Sequence, residues 1–227
     1  MDRNTQAPVK APRVKTKKSP VYLFFKRALD IFLSIFALIL LSPLFLVVSV
    51  AIAVEDGAPV IFKQRRVGKD KKVFNMYKFR SMRRNAEDIH KEVKVELGKG
   101  DVAIKLKDKE DPRVTRVGRF IRRTNIDELP QLINILKGEM SFVGPRPYVT
   151  YEVEEAEARN GDIFDERYDM APGLTCYWQT TFSGRGKISY EDRMVMDIKY
   201  VKEANFFIDA KLIFLTAIYT VIGKAGY

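Results

Sequence analysis

Two adjacent carboxylates, Asp127 and Glu128, are the side chains of this sequence best suited to covalent or metal-assisted chemistry. An aspartate can attack phosphorus and form an acyl phosphate, which divides one phosphoryl transfer into two displacements. Carboxylates are also the hard oxygen donors that Mg²⁺ prefers, usually one or two per site beside substrate phosphates. One member of the pair can therefore attack while the other holds a divalent cation.

The surrounding sequence also offers a simpler explanation for the pair. Residues 127–136 carry apolar side chains at helical spacing, and we expect a helix there that ends near Gly138. Thr124 or Asn125 can cap this helix, and the helix dipole favours acidic side chains in its first turn. By themselves, the two carboxylates are equally well explained as ordinary first-turn acids.

Basic residues suited to an anionic substrate lie close to the pair and in two other motifs. Arg122 comes shortly before the two carboxylates. Lys78 and Arg80 alternate with apolar residues, so a strand would place both on one face. Arg146 stands between two prolines, and its restricted backbone suits bidentate phosphate binding. A rigid turn with an incidental arginine explains this last motif equally well.

A glycine-containing stretch, residues 172–179, ends at Gln179 and is followed by Gly184 and Arg185. Glycines beside an arginine and an aromatic side chain can form a loop that approaches a nucleotide closely. A glycine-rich turn over a core tryptophan accounts for the same residues nearly as well. We therefore treat Gln179, Gly184 and Arg185 as candidate nucleotide contacts only.

The composition indicates an anionic partner. The chain has 40 Lys and Arg against 29 Asp and Glu, a formal net charge of +11, and 46% hydrophobic residues. Nucleic acid, an anionic membrane and a phosphorylated substrate all fit such a charge, but a long apolar run favours lipid over nucleic acid. Cys176 is the single cysteine, which excludes an intramolecular disulfide and favours a reducing compartment. With one histidine, His90, a four-ligand zinc site is not expected, and we interpret His90 as a solvated surface residue.

The apolar run covers residues 31–54 and is long enough to cross a hydrocarbon core of about 30 Å. Ser42 and Pro43 lie at its middle, where the proline removes a backbone donor and should kink the helix. Lysine and arginine are abundant on both flanks, whereas a spanning helix normally has them on the cytoplasmic side. We expect a re-entrant helix that enters and leaves on the same face; an ordinary spanning helix with a tolerated proline is the alternative.

The rest of the chain has the pattern of a small α/β domain. Residues 1–20 are expected to be a disordered basic tail, residues 21–56 the re-entrant membrane helix and residues 57–227 the catalytic domain. Short strands are predicted on either side of a basic turn, at residues 59–62 and 73–79. Further helices are predicted at residues 86–97, 152–160, 190–201 and 206–222, the last of them interfacial, and a loop at residues 98–112.

From about residue 26 to the end, the sequence resembles the monotopic polyprenyl-phosphate phosphoglycosyl transferases, bacterial sugar transferases that initiate glycoconjugate and exopolysaccharide assembly. Four ordered motifs and the Ser42–Pro43 break carry the resemblance, with the motifs at residues 77–82, 127–131, 137–147 and 172–174. It implies a re-entrant helix broken at Ser42 and Pro43, and a cytosolic α/β domain with its site at the membrane surface.

The resemblance also implies a reaction. Asp127 would attack the β-phosphate of a UDP-sugar, release UMP and carry the sugar phosphate until undecaprenyl phosphate accepts it. Glu128 would help bind Mg²⁺, Arg146 would bind phosphate, and Lys78 and Arg122 would be the basic residues near the pair.

Two departures from the family pattern, Cys176 and residues 180–183, concern sugar or nucleotide preference. The expected location is the cytoplasmic face of the bacterial inner membrane, with anionic lipids as partners, no nucleic acid, and an apolar underside that allows a homodimer. A non-catalytic membrane scaffold of a glycan-assembly complex is the alternative function.

Overall fold

A computed structural model describes residues 16–89, 111–180 and 188–221 of the chain, and its architecture is mixed helix and sheet. The α/β character expected from the sequence is confirmed. Several predicted positions lie outside these ranges: most of the basic tail, most of the loop at residues 98–112, His90, Gly184 and Arg185.

The apolar run forms two helices, α1 (Pro20–Leu40) and α2 (Ser42–Asp56), with a bend of 62° between them. Pro43 has no N–H to offer the carbonyl of Ile39, four residues earlier, and the Ser42 hydroxyl donates to that carbonyl at 2.8 Å. The predicted helix break at Ser42 and Pro43 is therefore confirmed. Within the described residues no single helix is long and apolar enough to cross a bilayer, but the bent pair passes that test together.

Both arms of this helix pair, which we call the hairpin, expose large apolar side chains. Phe24 and Phe32 on α1 and Val54 on α2 are 69%, 66% and 82% exposed. A continuous apolar surface of this kind is rarely left in contact with water.

The strands form two small sheets. Three strands are antiparallel in the order β2-β1-β4, and β3 pairs with β5 in parallel. The predicted second strand is confirmed, whereas the first starts later and runs further than expected, because it pairs with β2 along its whole length. The strands are β1 (Ile61–Val67), β2 (Val73–Phe79), β3 (Ser141–Val143), β4 (Tyr148–Val149) and β5 (Gly173–Thr175).

The helices predicted at residues 152–160, 190–201 and 206–222 are confirmed to within two residues, whereas the helix over Arg116–Arg123 was not predicted. The helix predicted at residues 86–97 is described only over residues 86–89, which are helical. The others are α3 (Arg116–Arg123), α4 (Gln131–Lys137), α5 (Thr150–Asn160), α6 (Tyr190–Glu203) and α7 (Phe206–Val221).

The continuous helix predicted over residues 127–136 is wrong in its first half. Asn125 adopts the left-handed conformation, with φ 56°, and a 3₁₀ turn over Ile126–Glu128 follows it. Pro130 lacks the N–H that a continuous helix would use, so α4 starts only at Gln131. Its end is as predicted, because Gly138 closes it at φ 81°.

The first arm of the hairpin is bonded to the segments that follow the carboxylate pair. Arg27 on α1 donates to the carbonyls of Ile135 and Leu136, the latter at 2.7 Å, and so caps the C-terminus of α4. Asp30, which is buried, accepts from the backbone N–H of Phe142 on β3 at 3.0 Å.

The second arm is bonded to the segments that precede the pair. The Glu55 carboxylate accepts from the backbone N–H groups of Arg116 and Val117 at 2.7 and 2.9 Å, which caps the N-terminus of α3. Val48 and Ile52 of α2 pack in one core cluster with residues of β2 and α3. The hairpin and the domain therefore share hydrogen bonds and a core.

Candidate active site

Asp127 and Glu128 lie in the 3₁₀ turn between α3 and α4. The expected cap is wrong: the Asn125 side chain makes no capping hydrogen bond, and the Thr124 hydroxyl donates backwards to the Phe120 carbonyl at 2.9 Å. Thr124 thus closes α3 instead of opening the next helix. The two carboxylates are therefore not first-turn acids of α4; they lie in the first turn of the 3₁₀ helix that precedes it.

Lys78, on β2, reaches the second carboxylate of the pair. Its ammonium lies 2.6 Å from Glu128, and the two side chains are 21% and 18% exposed. Burial would raise the pKa of Glu128, but Lys78, Arg146 and Arg66 together hold it below its ordinary value. Glu128 is therefore ionised at neutral pH.

The pKa of Asp127 is shifted in the opposite direction. Burial raises its pKa to about 6, the charge of Glu128 adds to that effect, and the cations of Lys78 and Arg122 oppose it. Two neighbouring carboxyl groups with pKa values shifted in opposite directions are typical of catalytic pairs with different tasks.

Beside the pair is a pocket whose lining includes Lys78, Glu128 and Arg146. Sequence analysis missed two polar residues of this lining, Arg66 and Gln131. Arg66 lies on β1, where the antiparallel register places it on the same face as Lys78. The alternation of β1 and β2 was a usable signal for Arg66, but only once the register of the two strands was known.

Arg146 is held through its backbone by a buried ion pair. Its N–H lies 3.3 Å from both carboxylate oxygens of Asp197, and its carbonyl accepts from the Arg167 guanidinium. The Arg167 guanidinium lies 2.9 Å from the Asp197 carboxylate, and the two side chains are 1% and 0% exposed. Burial raises the pKa of Asp197 to about 6, against the opposing charge of Arg167. The Arg146 side chain then lies over the ring of Trp178, with 5.3 Å between the guanidinium carbon and the ring centroid.

Arg80 is not brought into this pocket. Its guanidinium donates to the carbonyls of Asp56 and Gly57, at 2.9 and 2.7 Å, and to that of Pro59. The expectation that Lys78 and Arg80 serve one anion site together is therefore not supported by their contacts. β2 ends at Phe79, and Arg80 instead caps the C-terminus of α2.

Gln179 does line the pocket, and its side-chain oxygen accepts from the Cys176 N–H at 3.1 Å. Cys176 is buried, which raises the pKa of its thiol well above the ordinary value. It is therefore a lining residue without thiolate character. Gly184 and Arg185 remain predictions, since both lie outside the described residues.

The donor set of the pocket suits one kind of metal site. In the described ranges no group of three or more His, Cys, Asp or Glu side chains is placed to hold a metal. Mg²⁺, however, is commonly bound by one or two carboxylates with substrate phosphates completing its shell. Glu128 fits this pattern, because it is ionised and lines the pocket beside cations that can hold the phosphates.

Glu128 lines this basic pocket, whereas Asp127 and Arg122 lie outside its lining. A pocket with several cations beside two unlike carboxyl groups is typical of an enzyme that handles phosphate esters. The chain belongs to the bacterial sugar transferase family, whose model matches residues 21–223. The resemblance inferred from the motifs is thereby confirmed.

Curated relatives fall into longer and similar-sized proteins. The chain is 43% identical over 196 residues to an undecaprenyl-phosphate galactose phosphotransferase of Salmonella typhimurium, which covers 86% of this chain and 40% of the relative. It is 36% identical over 221 residues to the UDP-glucose:undecaprenyl-phosphate glucose-1-phosphate transferase of Escherichia coli, covering 95% of this chain and 44% of the relative. Against the exopolysaccharide production protein ExoY of Rhizobium meliloti it is 35% identical over 228 residues, with 99% and 98% covered. The chain thus spans less than half the length of the first two.

Proposed function

We propose that this chain transfers a sugar-1-phosphate from a UDP-sugar to undecaprenyl phosphate and releases UMP, through an aspartyl-phosphosugar intermediate on Asp127. The observation that carries the proposal is the contrast between its two carboxyl groups. Lys78 holds the pKa of Glu128 below its ordinary value, whereas burial raises the pKa of Asp127 to about 6 against the opposing charges of Lys78 and Arg122.

In the first step, a carboxylate oxygen of Asp127 attacks the β-phosphorus of the donor. The bond from that phosphorus to the bridging oxygen breaks, and UMP leaves with the electron pair. Arg146 and Lys78 are the cations that offset the charge gathering on the phosphate oxygens. Arg146 suits this task because its backbone is fixed on both sides by Asp197 and Arg167.

In the second step, a phosphate oxygen of undecaprenyl phosphate attacks the same phosphorus. The acyl phosphate bond breaks and the Asp127 carboxylate is regenerated, so two displacements return the enzyme to its starting state. Mg²⁺ bound by Glu128 would neutralise diphosphate charge during both displacements.

The acceptor dictates where the enzyme must work. Undecaprenyl phosphate is confined to a bilayer, whereas a UDP-sugar is dissolved in water, so the site has to lie at the boundary. The exposed apolar hairpin, with α7 beside it, supports such a placement, and basic residues on both flanks of the hairpin support the cytoplasmic face. Tags placed before residue 1 and after residue 227 should both be accessible from the cytosol only, and an external N-terminal tag would overturn the re-entrant topology.

UMP release from the donor alone tests the nucleophile. Asp127→Asn should abolish it, because the neutral amide cannot form the acyl phosphate. Asp192→Asn is the matched control, since Asp192 is an exposed acid in the first turn of α6 and should behave like the native enzyme. Release of UMP by Asp127→Asn at the native rate would refute the assignment.

Intact-protein mass analysis gives a second readout. Incubated with donor and Mg²⁺ but without acceptor, the native enzyme should gain one phosphosugar mass, and added undecaprenyl phosphate should remove it. UDP-galactose and UDP-glucose are the first donors to test, because relatives are named for galactose and glucose transfer.

A further inference from the structure

The outward face of α3 carries three arginines around one phenylalanine. Arg116, Arg119 and Arg123 are exposed, and Phe120 among them is 52% exposed. Residues three, four and seven positions apart lie on one side of a helix, so these four side chains form a single surface. The opposite side of α3 is buried, with Ile121 in the core shared with α2 and β2.

The hairpin sets the level at which this surface lies. Val54, the last apolar residue of α2, is 82% exposed, and the next residue, Glu55, caps α3 through two backbone N–H groups. The first turn of α3 therefore lies where the apolar surface of the hairpin ends. If the hairpin is in a bilayer, that level is the headgroup region.

The arginines of α3 fall into two groups, one directed towards the active site and one on the outward face of the helix. Arg122 is close enough to Asp127 to lower the pKa of that carboxyl group, so it belongs to the active site. The other three arginines lie outside the pocket lining. Glu55 lies at the start of the helix, and its two oxygens are occupied by backbone N–H groups. The outward face is therefore strongly cationic.

We propose that Arg116, Arg119 and Arg123 bind the phosphates of anionic phospholipids, with Phe120 inserted between the lipids. Guanidinium groups bind phosphate in a bidentate manner, and an aromatic ring between basic residues is typical of a surface that lies in the membrane interface. This inference rests on the membrane association in the proposed function, and it adds a preference for anionic lipid at a defined helix.

Fluorescence quenching in lipid nanodiscs tests the position and the preference. Phe120→Trp places an indole on the proposed surface, while the native Trp178 is 3% exposed and supplies a constant background. The discs contain equal amounts of phosphatidylcholine and phosphatidylglycerol, and either one or the other is brominated. We expect quenching by both, at least about twofold stronger with brominated phosphatidylglycerol, since one arginine near a charged surface contributes about fivefold in affinity. Equal quenching, or none, would overturn the proposal.

Charge variants separate this surface from general basicity. In the Phe120→Trp background, changing Arg116, Arg119 and Arg123 to Gln should abolish the preference, whereas changing them to Lys should keep it. A control changes Arg65, Lys69 and Lys72 to Gln. These exposed cations lie near the turn between β1 and β2, up to about 20 Å along the strands from the end that packs on α2. If the control loses the preference and the α3 variant keeps it, the surface is assigned wrongly.

Activity is scored separately. UMP release by the α3 variants in detergent should match the native rate, because the three arginines are exposed on the outward face of α3 and none lines the pocket. Loss of lipid preference with normal UMP release fits the inference. Absence of UMP release in the native enzyme would refute the proposed function without changing the quenching result.

Discussion

The ionisation of Asp127 should govern the first half of the reaction. Only the carboxylate form can attack phosphorus, and burial raises the pKa of this group to about 6 from an ordinary value of 3.8. UMP release from the donor alone should therefore increase with pH through a midpoint near 6. The second half-reaction is left out of the assay, because the phosphate of the acceptor also titrates in this range.

The size of the effect follows from the shift. With a pKa of about 6, about 91% of Asp127 is ionised at pH 7 and about 9% at pH 5, so single-turnover UMP release should fall about tenfold between them. With the ordinary value, about 94% would remain ionised at pH 5 and the rate would barely change. The two cases differ far beyond the error of a rate measurement.

A charge variant tests the cause of the midpoint. Lys78 is the foremost cation lowering the pKa of Asp127, so Lys78→Gln should move the midpoint to higher pH. Lys137→Gln is the control, because the Lys137 ammonium bonds the Tyr77 hydroxyl at 2.7 Å and should leave the midpoint in place. Asp197 also has a pKa of about 6, and Asp197→Asn shows whether it contributes.

Three outcomes would refute this reasoning. A rate that is constant between pH 5 and 7 means that the pKa of Asp127 is not raised, or that Asp127 is not the nucleophile. A midpoint that disappears in Asp197→Asn belongs to Asp197 instead. A midpoint unmoved by Lys78→Gln shows that the field of Lys78 does not reach Asp127.

Three further predictions concern stability, positioning and topology. Asp127→Asn should raise the melting temperature at neutral pH while abolishing activity. Because the pKa of Asp127 is higher in the folded than in the unfolded chain, its ionisation destabilises the fold above pH 6, by up to about 3 kcal/mol. Asp197→Asn should raise the donor KM, because the Arg146 N–H loses its carboxylate partner, and this effect should vanish in an Arg146→Ala background if Asp197 acts by positioning Arg146. Replacing Ser42 by Leu and Pro43 by Ala should straighten the hairpin and move an N-terminal tag to the outer side in accessibility labelling.

Local chemistry explains which parts of the fold were predictable. The break at Pro43 needs only a missing N–H, and the end of α4 needs only Gly138, so both could be read from a few neighbouring residues. The left-handed conformation of Asn125 had no comparable signal, since most asparagines do not adopt it. The division of the expected helix into a 3₁₀ turn and α4 was therefore missed.

The candidate site divides in the same way. Asp127, Glu128 and Arg146 stand out through their immediate neighbours, two carboxylates in a row and an arginine between prolines. The buried pair of Asp197 and Arg167 comes from positions 30 residues apart, and each looks like an ordinary charged residue within a helical stretch. Only tertiary structure brings them together on the backbone N–H and carbonyl of one residue, Arg146.

The contacts of Arg27, Asp30 and Glu55 have a consequence for protein engineering. Each hairpin arm supplies a hydrogen-bonding group that a segment of the domain lacks, at the end of α4, at β3 and at the start of α3. A chimaera joined near residue 57, with the hairpin from one relative and the domain from another, would place these groups against a domain that did not evolve with them, and the hydrogen bonds between the two parts could be lost. An exchange of donor specificity between relatives should therefore transfer the hairpin and the domain together.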